Sequence, residues 1–285
     1  MGRRSTKLGN LLGLTGLVLI LSLILIGFSK SLLISFGIFK EVGLDSFTLD
    51  FYKQVLGDKT FISSLIFSLK ISVVSSILAI ILGMFLSYGI YTSKAYDLYL
   101  KLPVILPHII VAILLVNLFS QTGVIARVLY NLKLIDDSNS FVQIFYNKNG
   151  IGVILSFALK GGAYAGMVFL EIYRNISPNQ LASAKNLGAS DFDQYRYILF
   201  PFIRTQILEI FIILFNFAIS SYSVPVLIGP TSPRTLAAKS YMDFTKNSFA
   251  YKPKAFVINV ILIIIGMLSI IILYLIRRKD YEKNI

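Results

Sequence analysis

Long apolar runs, each broken off by a short polar segment, occupy most of the chain. Six stand out: Leu8 to Phe28, Leu65 to Ile90, Leu102 to Phe119, Ile151 to Leu170, Thr205 to Ile228 and Ala255 to Ile276. A helix needs about 20 mostly apolar residues to cross a hydrocarbon core roughly 30 Å thick, and these runs are of that order. They are continuous and do not alternate with a period of two, so a closed barrel of short strands is excluded. The pattern predicts an all-α polytopic membrane protein with six transmembrane helices, in a single domain over residues 1–285. The first run follows Arg3, Arg4 and Lys7, as a signal peptide would. It is longer than the apolar core of a signal peptide, about 7–15 residues, and no A-x-A-like site follows it, so it is read as a retained span.

The polar stretch SPNQLASAKNLGASDFDQYRYILFP, Ser177 to Pro201, interrupts this pattern between the fourth and fifth runs. Ser177 is placed to be an N-cap, Pro178 suits the first helical position, and Gln180 at the third would complete a capping box. Gly188 suits the left-handed position that ends a helix. Ser190 then opens a second helix, with Asp191 and Asp193 in its first turn where the helix dipole favours acids. Phe192, Tyr195 and Leu199 are expected on one face of it, and Pro201 is expected to close it. Two short helices meeting at a glycine corner predict a rigid element rather than a linker. Capping alone leaves two accounts of it: an interfacial hairpin that lies on the membrane, or a protrusion from it.

Composition supports a membrane class. Hydrophobic residues make up 56% of the 285 positions and charged residues only 14%, against about 25% charged in soluble domains. The net charge of +13 comes from Lys and Arg in the short loops, where headgroups and topology account for it. No basic helix interleaved with aromatics is present, so nucleic acid is not an expected partner. With no Cys there are no disulfides or thiolates. His108, the one histidine, has no Cys or acidic neighbours, and no metal site or cofactor is expected. Six spans put both termini on one side of the bilayer. The basic clusters Arg3, Arg4, Lys7 and Arg277, Arg278, Lys279 assign that side to the cytoplasm. Arg234, Lys239, Lys246, Lys252 and Lys254, between the last two spans, pull the other way.

The fifth run ends in NFAISSYSVPVLIGPTSPRTL, Asn216 to Leu236. Pro225 removes a backbone donor, and Asn216, Ser220, Ser221, Tyr222 and Ser223 gather polar groups just before it. Serines bonding their own helix carbonyls, with prolines ending the span, are one account. A segment lining a path or gate is the other. Lys70, Lys160 and Glu209 are ionisable residues inside apolar runs, where charge is costly. Lys70 and Glu209 read as structural, whereas Lys160, mid-span beside Gly161 and Gly162, stays open. The small residues of KGGAYAG, Lys160 to Gly166, predict a close helix seam, within the subunit or with a second one.

The punctuated stretch resembles the EAA loop of ABC-importer permease subunits, whose pattern is Glu-Ala-Ala, three residues, Gly, nine residues, then Ile-x-Leu-Pro. Gly188 takes the glycine, Ile198 follows nine intervening residues later, and Pro201 takes the proline. Leu187, Gly188, Ala189 and Ser190 match the family's usual corner, and Ala184 takes the second alanine. Ala182 stands in place of the glutamate, Ser183 in place of the first alanine, and Phe200 in place of the leucine. The likeness covers Arg3 to about Lys279, resting outside the loop on layout. It implies a type I ABC importer permease fold, with residues 171–204 as a cytoplasmic loop of coupling helices. Ala182, Ser183, Ala184, Leu187, Gly188, Ala189, Ile198 and Pro201 would then couple to an ATPase subunit.

The implied partners are ABC ATPase subunits, a second permease subunit (identical or related), an extracellular or periplasmic solute-binding protein, and the lipid bilayer of the cell (inner) membrane. Because span five lies beside the pathway in this family, Asn216, Ser220, Ser221, Tyr222 and Pro225 become candidates for a path or gate. The expected solutes are of the polyamine, ferric-iron or thiamine type, with sulfate, molybdate or phosphonate as runner-up. No G-x-x-x-x-G-K-[ST] loop occurs, so ATP hydrolysis is expected on another chain. A multipass enzyme would need converging acids, but Asp136, Asp137, Asp191 and Asp193 are scattered. A secondary transporter would show internal repeats, and none is seen.

Overall fold

The computed structural model describes residues 2–93, 96–137, 140–246 and 249–283. Helix α1 is Gly2–Ser35, followed by the two-residue strands β1, Ile38–Phe39, and β2, Leu44–Asp45, and by helix α2, Asp50–Leu56. Helix α3 is Lys59–Ser93, α4 Leu98–Ile105, α5 His108–Phe119, α6 Val124–Asn131 and α7 Ile151–Arg174. Helix α8 is Pro178–Asn186, α9 Asp191–Gln194, α10 Phe200–Ser220, α11 Ser223–Ile228, α12 Leu236–Thr245 and α13 Lys252–Lys283. Among the described residues, six helical stretches are long and apolar enough to cross a membrane: Leu14–Ser35, Lys59–Ser93, His108–Asn131, Ile151–Arg174, Asp191–Ser220 and Lys252–Arg278.

The chain divides into two compact units, Met1–Phe61 with Ser240–Ile263, and Ile62–Lys239 with Ile264–Ile285. In the first, the end of α1 is tied down locally. Ser35 shares a 2.8 Å hydrogen bond with the Tyr52 hydroxyl, and Phe36 stacks on Phe47 and Tyr52. The β1–β2 pair is antiparallel, with Ile38 opposite Asp45 and Phe39 opposite Leu44. Further along, Ser240 donates to the Ala255 carbonyl at 3.0 Å and bonds Asn259 Oδ1 at 2.7 Å, joining α12 to α13.

In the second unit α7 is the central helix, the most deeply buried of the six crossing stretches. Lipid tails give helices no hydrophobic reason to associate, so close approach must come from small side chains. The glycines of α7 provide it. A Cβ at Gly83 of α3 would lie 2.6 Å from Ala165 Cβ and 2.8 Å from the Gly166 nitrogen. At Gly161 it would meet Ala79 of α3 at 2.9 Å, and at Gly162 the Leu82 side chain at 2.7 Å. The small-residue run of α7 is therefore a seam inside the subunit, against α3.

Two apolar clusters lie on either side of this seam. One gathers Phe67, Ile71, Val111, Leu115, Val153, Phe157, Val224 and Ile228. The other gathers Ile80, Phe169, Tyr173, Leu199, Ile203 and Ile210. Polar backbone at the element ends is satisfied by distant groups. The Leu236 amide, opening α12, donates to Ser68 Oγ of α3 at 2.7 Å. The Tyr146 amide donates to the Ile228 carbonyl at the end of α11, at 3.1 Å.

The third crossing helix starts later than the apolar run suggests, at His108 and not Leu102. Pro107 pushes Leu106 out of the helical region, to φ −66° and ψ 136°, and residues 98–105 become the separate helix α4. The fifth helix ends earlier than Ile228. It breaks at Ser221, φ −74° and ψ 130°, after Ser220 has turned its hydroxyl back onto the Asn216 carbonyl at 2.7 Å. Such back-bonding competes with the helical ladder and bends it.

Gly83→Ala should lower the melting temperature in detergent, costing about 1–3 kcal/mol, because its new methyl would meet backbone that cannot swing away. Gly89→Ala, with nothing within 4 Å of its Cβ position, should leave it unchanged or raise it slightly, because alanine favours a helix over glycine.

Candidate functional site

The stretch from Ser177 to Pro201 forms the expected pair of short helices with a glycine corner. At the end of α8 the Gly188 amide bonds the Lys185 carbonyl at 3.0 Å, and the Ala189 amide bonds the Ala184 carbonyl at 3.0 Å. This is the Schellman closure, which needs a left-handed residue at its centre. Gly188 supplies it, with φ +86°. Ser190 then caps α9 by accepting from the Asp193 amide, while Asp193 accepts from the Ser190 amide at 3.0 Å.

Three details differ from the sequence expectation. Ser177 makes no side-chain cap to α8. The Gln180 amide instead bonds the Ser177 carbonyl at 3.0 Å, so the capping box at that end is absent. Pro201 does not end the second helix but stands in the first turn of α10, where its missing N–H costs little. A π turn over Tyr195–Leu199, closed by the Phe200 amide on the Tyr195 carbonyl, leads α9 into α10 without a break. That wider turn also separates Phe192 from Tyr195 and Leu199. Phe192 is exposed, Tyr195 half-buried and Leu199 buried.

The pair therefore has an inner and an outer side. Leu181, Ile198, Leu199 and Tyr195 pack into the cluster around Tyr173 and Ile203. Tyr195 meets Tyr88 of α3 edge-on at 4.9 Å, and the Tyr88 hydroxyl donates to the Asp191 carbonyl at 3.2 Å. Outside, Leu187 is 88% exposed and Tyr197 68%, with Ala182 and Ser183 exposed beside them and Ala184 and Ala189 half-buried. Nearby, Asp97 joins α4 to the end of α7, 3.0 Å from Lys101 and 3.2 Å from Arg174. The Lys101 ammonium, then the Arg174 guanidinium, hold its carboxyl below the ordinary carboxylate range. This pairing is lost only as the pH falls through that lowered value.

The five candidate path residues do not form one surface. Asn216 donates to Ser269 Oγ of α13 at 2.7 Å and to the Ile212 carbonyl at 2.9 Å. It therefore seals a helix seam, against Gly266. Ser220 and Tyr222 are exposed at the break after α10, and Ser221 is half-buried there. Pro225 is buried in the first turn of α11, where it frees no carbonyl of α10. The Gly229 amide bonds the Pro225 carbonyl at 3.0 Å.

The intramembrane charges are now located. Glu209 of α10 pairs with Arg277 of α13. Phe67 and Ile71 pack on Gly150, just before α7, which sets Lys70 level with that end of the span. Lys160 donates to the Leu106 carbonyl, the group left without a helical partner by the break before Pro107. The sequence carried the signal for this bond, an intramembrane Lys and a Pro-interrupted span, but not the pairing. His108, the first residue of α5, stacks on Phe217 at 4.2 Å. With Ser75, Ser76 and Gly161 it lines a cavity of about 20 Å³, room for about one water molecule.

Comparison with known proteins agrees with this architecture. Residues 75–279 match the model of the binding-protein-dependent transport system inner membrane component. The chain belongs to that family and is a permease subunit of the ABC importer kind. It is 25% identical over 221 residues to the probable ABC transporter permease protein PH1215 of Pyrococcus horikoshii, covering 70% of this chain and 72% of that one. It is 22% identical over 229 residues to the probable transport system permease protein NifC of Clostridium pasteurianum, covering 76% and 77%. In fold it resembles a chain of a bacterial alginate ABC transporter solved with a periplasmic protein carrying an alginate pentasaccharide. That match has a TM-score of 0.76 and 17% identity, over 95% of this chain and 94% of the other. A chain of an amino acid ABC transporter with histidines matches at a TM-score of 0.56 and 17% identity, over 81% and 99%.

Ser190→Ala should cost about 1 kcal/mol locally. The Asp193 amide would then exchange with deuterium about fivefold faster, with the global melting temperature little changed.

Proposed function

We infer that this chain is a transmembrane subunit of a type I ABC importer in the cell (inner) membrane, with both termini and the loop 171–204 in the cytoplasm. It takes a small solute from an extracellular or periplasmic binding protein and releases it inward. Two ATPase subunits supply the driving force, and a second permease subunit, identical or related, completes the pore. The observation that carries this reading is the rigid helix pair at Gly188. One side of it is buried against α3, α7 and α10, and the other presents Leu187, Phe192 and Tyr197.

Exposed apolar side chains on a fixed corner suit docking into a groove of a cytoplasmic partner. Ala182, Ser183 and Ala184 keep that surface low, and the missing glutamate at Ala182 removes one polar contact without removing the hydrophobic ones. Ile198 and Pro201 sit where the corner passes into α10, so a push on the loop reaches span five directly. The exposed Ser220 and Tyr222, with Ser221 between them, are the members of the path set that remain candidates for a gate. Asn216 and Pro225 have packing roles in this conformation. The family likeness alone leaves two solute classes, the polyamine, ferric-iron or thiamine type that the sequence puts first and the sulfate, molybdate or phosphonate type. The choice between them rests on the chemistry of the path.

Purification of the tagged chain from native membranes in mild detergent should recover an ATPase with a phosphate-binding loop. A chain recovered alone would overturn the coupling role. Gly188→Val should leave the chain inserted but reduce the recovered ATPase about tenfold, because a β-branched residue is strained at positive φ. Undiminished ATPase recovery would mean that the corner does not set the docking surface.

A further inference from the structure

Lys160 is the tenth residue of α7, which spans Ile151–Arg174. It therefore lies about 14 Å along the helix from one end and about 21 Å from the other, too deep for its stem to lift the ammonium readily into the headgroups. It is half-buried, and it donates to a neutral group, the Leu106 carbonyl. Among the described residues no carboxylate pairs with it, unlike Glu209 with Arg277 or Asp97 with Arg174. An ammonium has three donors, and the carbonyl accepts one.

The cavity beside Lys160, which begins at its neighbour Gly161, has mostly apolar walls that carry three polar side chains. The same helix break places His108 two residues beyond Leu106. His108 lines the cavity with Ser75 and Ser76, and the Ser76 Oγ is buried without a hydrogen-bond partner. Ser76 is 1% exposed, and leaving such a hydroxyl unpaired costs more than pairing it, so a polar guest is favoured. A positive charge without a carboxylate partner, near the unpaired Ser76 hydroxyl and at mid-membrane depth, favours a negatively charged visitor and repels a cation.

Resting on the importer reading, we propose that Lys160, with His108, Ser75 and Ser76 beside it, is an anion-recognition site on the solute's route, and that the solute is a small oxyanion. The cavity holds only about one water molecule in this conformation, so the solute meets the ammonium, with the donors that Leu106 leaves free, when the helices part during transport. The carbonyl holds the side chain in place between passages, so the charge does not need a carboxylate partner that would compete with the solute. The site thereby selects the sulfate and molybdate class over polyamine, ferric iron and thiamine.

The test uses the complete transporter, with its ATPase and binding protein, expressed in a strain lacking its own copy. ATP-dependent uptake of radiolabelled sulfate, molybdate, phosphate, spermidine and thiamine is measured for the wild type, Lys160→Arg and Lys160→Gln. Glutamine can still donate to the Leu106 carbonyl but carries no charge, so a purely structural role would survive it. The proposal expects uptake of at least one oxyanion, reduced about tenfold or more by Lys160→Gln through a raised KM, and within about threefold of wild type in Lys160→Arg. Uptake of spermidine or thiamine, oxyanion uptake unchanged in Lys160→Gln, or uptake of none of the five by an assembly that retains its ATPase would overturn it. Failure of the importer reading looks different, because the wild-type chain would then purify without an ATPase.

Discussion

The close contact of α7 with α3 is the constraint on which the rest of this architecture depends. Within a bilayer the hydrophobic effect does not press helices together, and packing must come from surfaces that fit at short range. Gly83, Gly161 and Gly162 give that fit by having no side chain where the two helices meet. Gly166, further along, leaves room for Leu100 of α4 in the same way, 3.0 Å from where its Cβ would be. Once α7 is held against α3, the two apolar clusters form on either side of the seam, and α4, α5, α10 and α11 take their places around them.

Breaks and ends of helices leave backbone groups that lipid cannot satisfy, and several of them here find a partner far along the chain. The Leu106 carbonyl is taken by Lys160. The Leu236 amide is taken by Ser68 and the Ile228 carbonyl by the Tyr146 amide. The π turn at Tyr195–Leu199 admits Pro201 into a continuous helix by shifting the ladder one residue rather than breaking it. The same device makes α9 and α10 one continuous helical body that runs from the corner at Gly188 into the fifth span. The tyrosines of α3 and α7 hold that body on its inner side, and its outer side is exposed.

Most of the architecture was legible in the sequence because membrane helices announce themselves by length and continuity. The six crossings, the glycine corner and the Ser190 cap with its two acids follow from local rules about hydrocarbon thickness, left-handed backbone and helix ends. The family likeness, too, rests on a local spacing between Gly188 and Pro201. What sequence could not decide were questions about partners far apart in the chain. KGGAYAG announced a close seam but not with which helix. Asn216 and Pro225 looked alike as polar or irregular features of span five, yet one bonds Ser269 and the other is buried in a separate short helix. The chemistry of Lys160 became clear only when folding placed it beside a carbonyl 54 residues earlier in the chain. Local propensity fixes where helices start, stop and bend. Which buried polar group meets which is settled by packing, because only the assembled bundle determines where each unsatisfied group ends up.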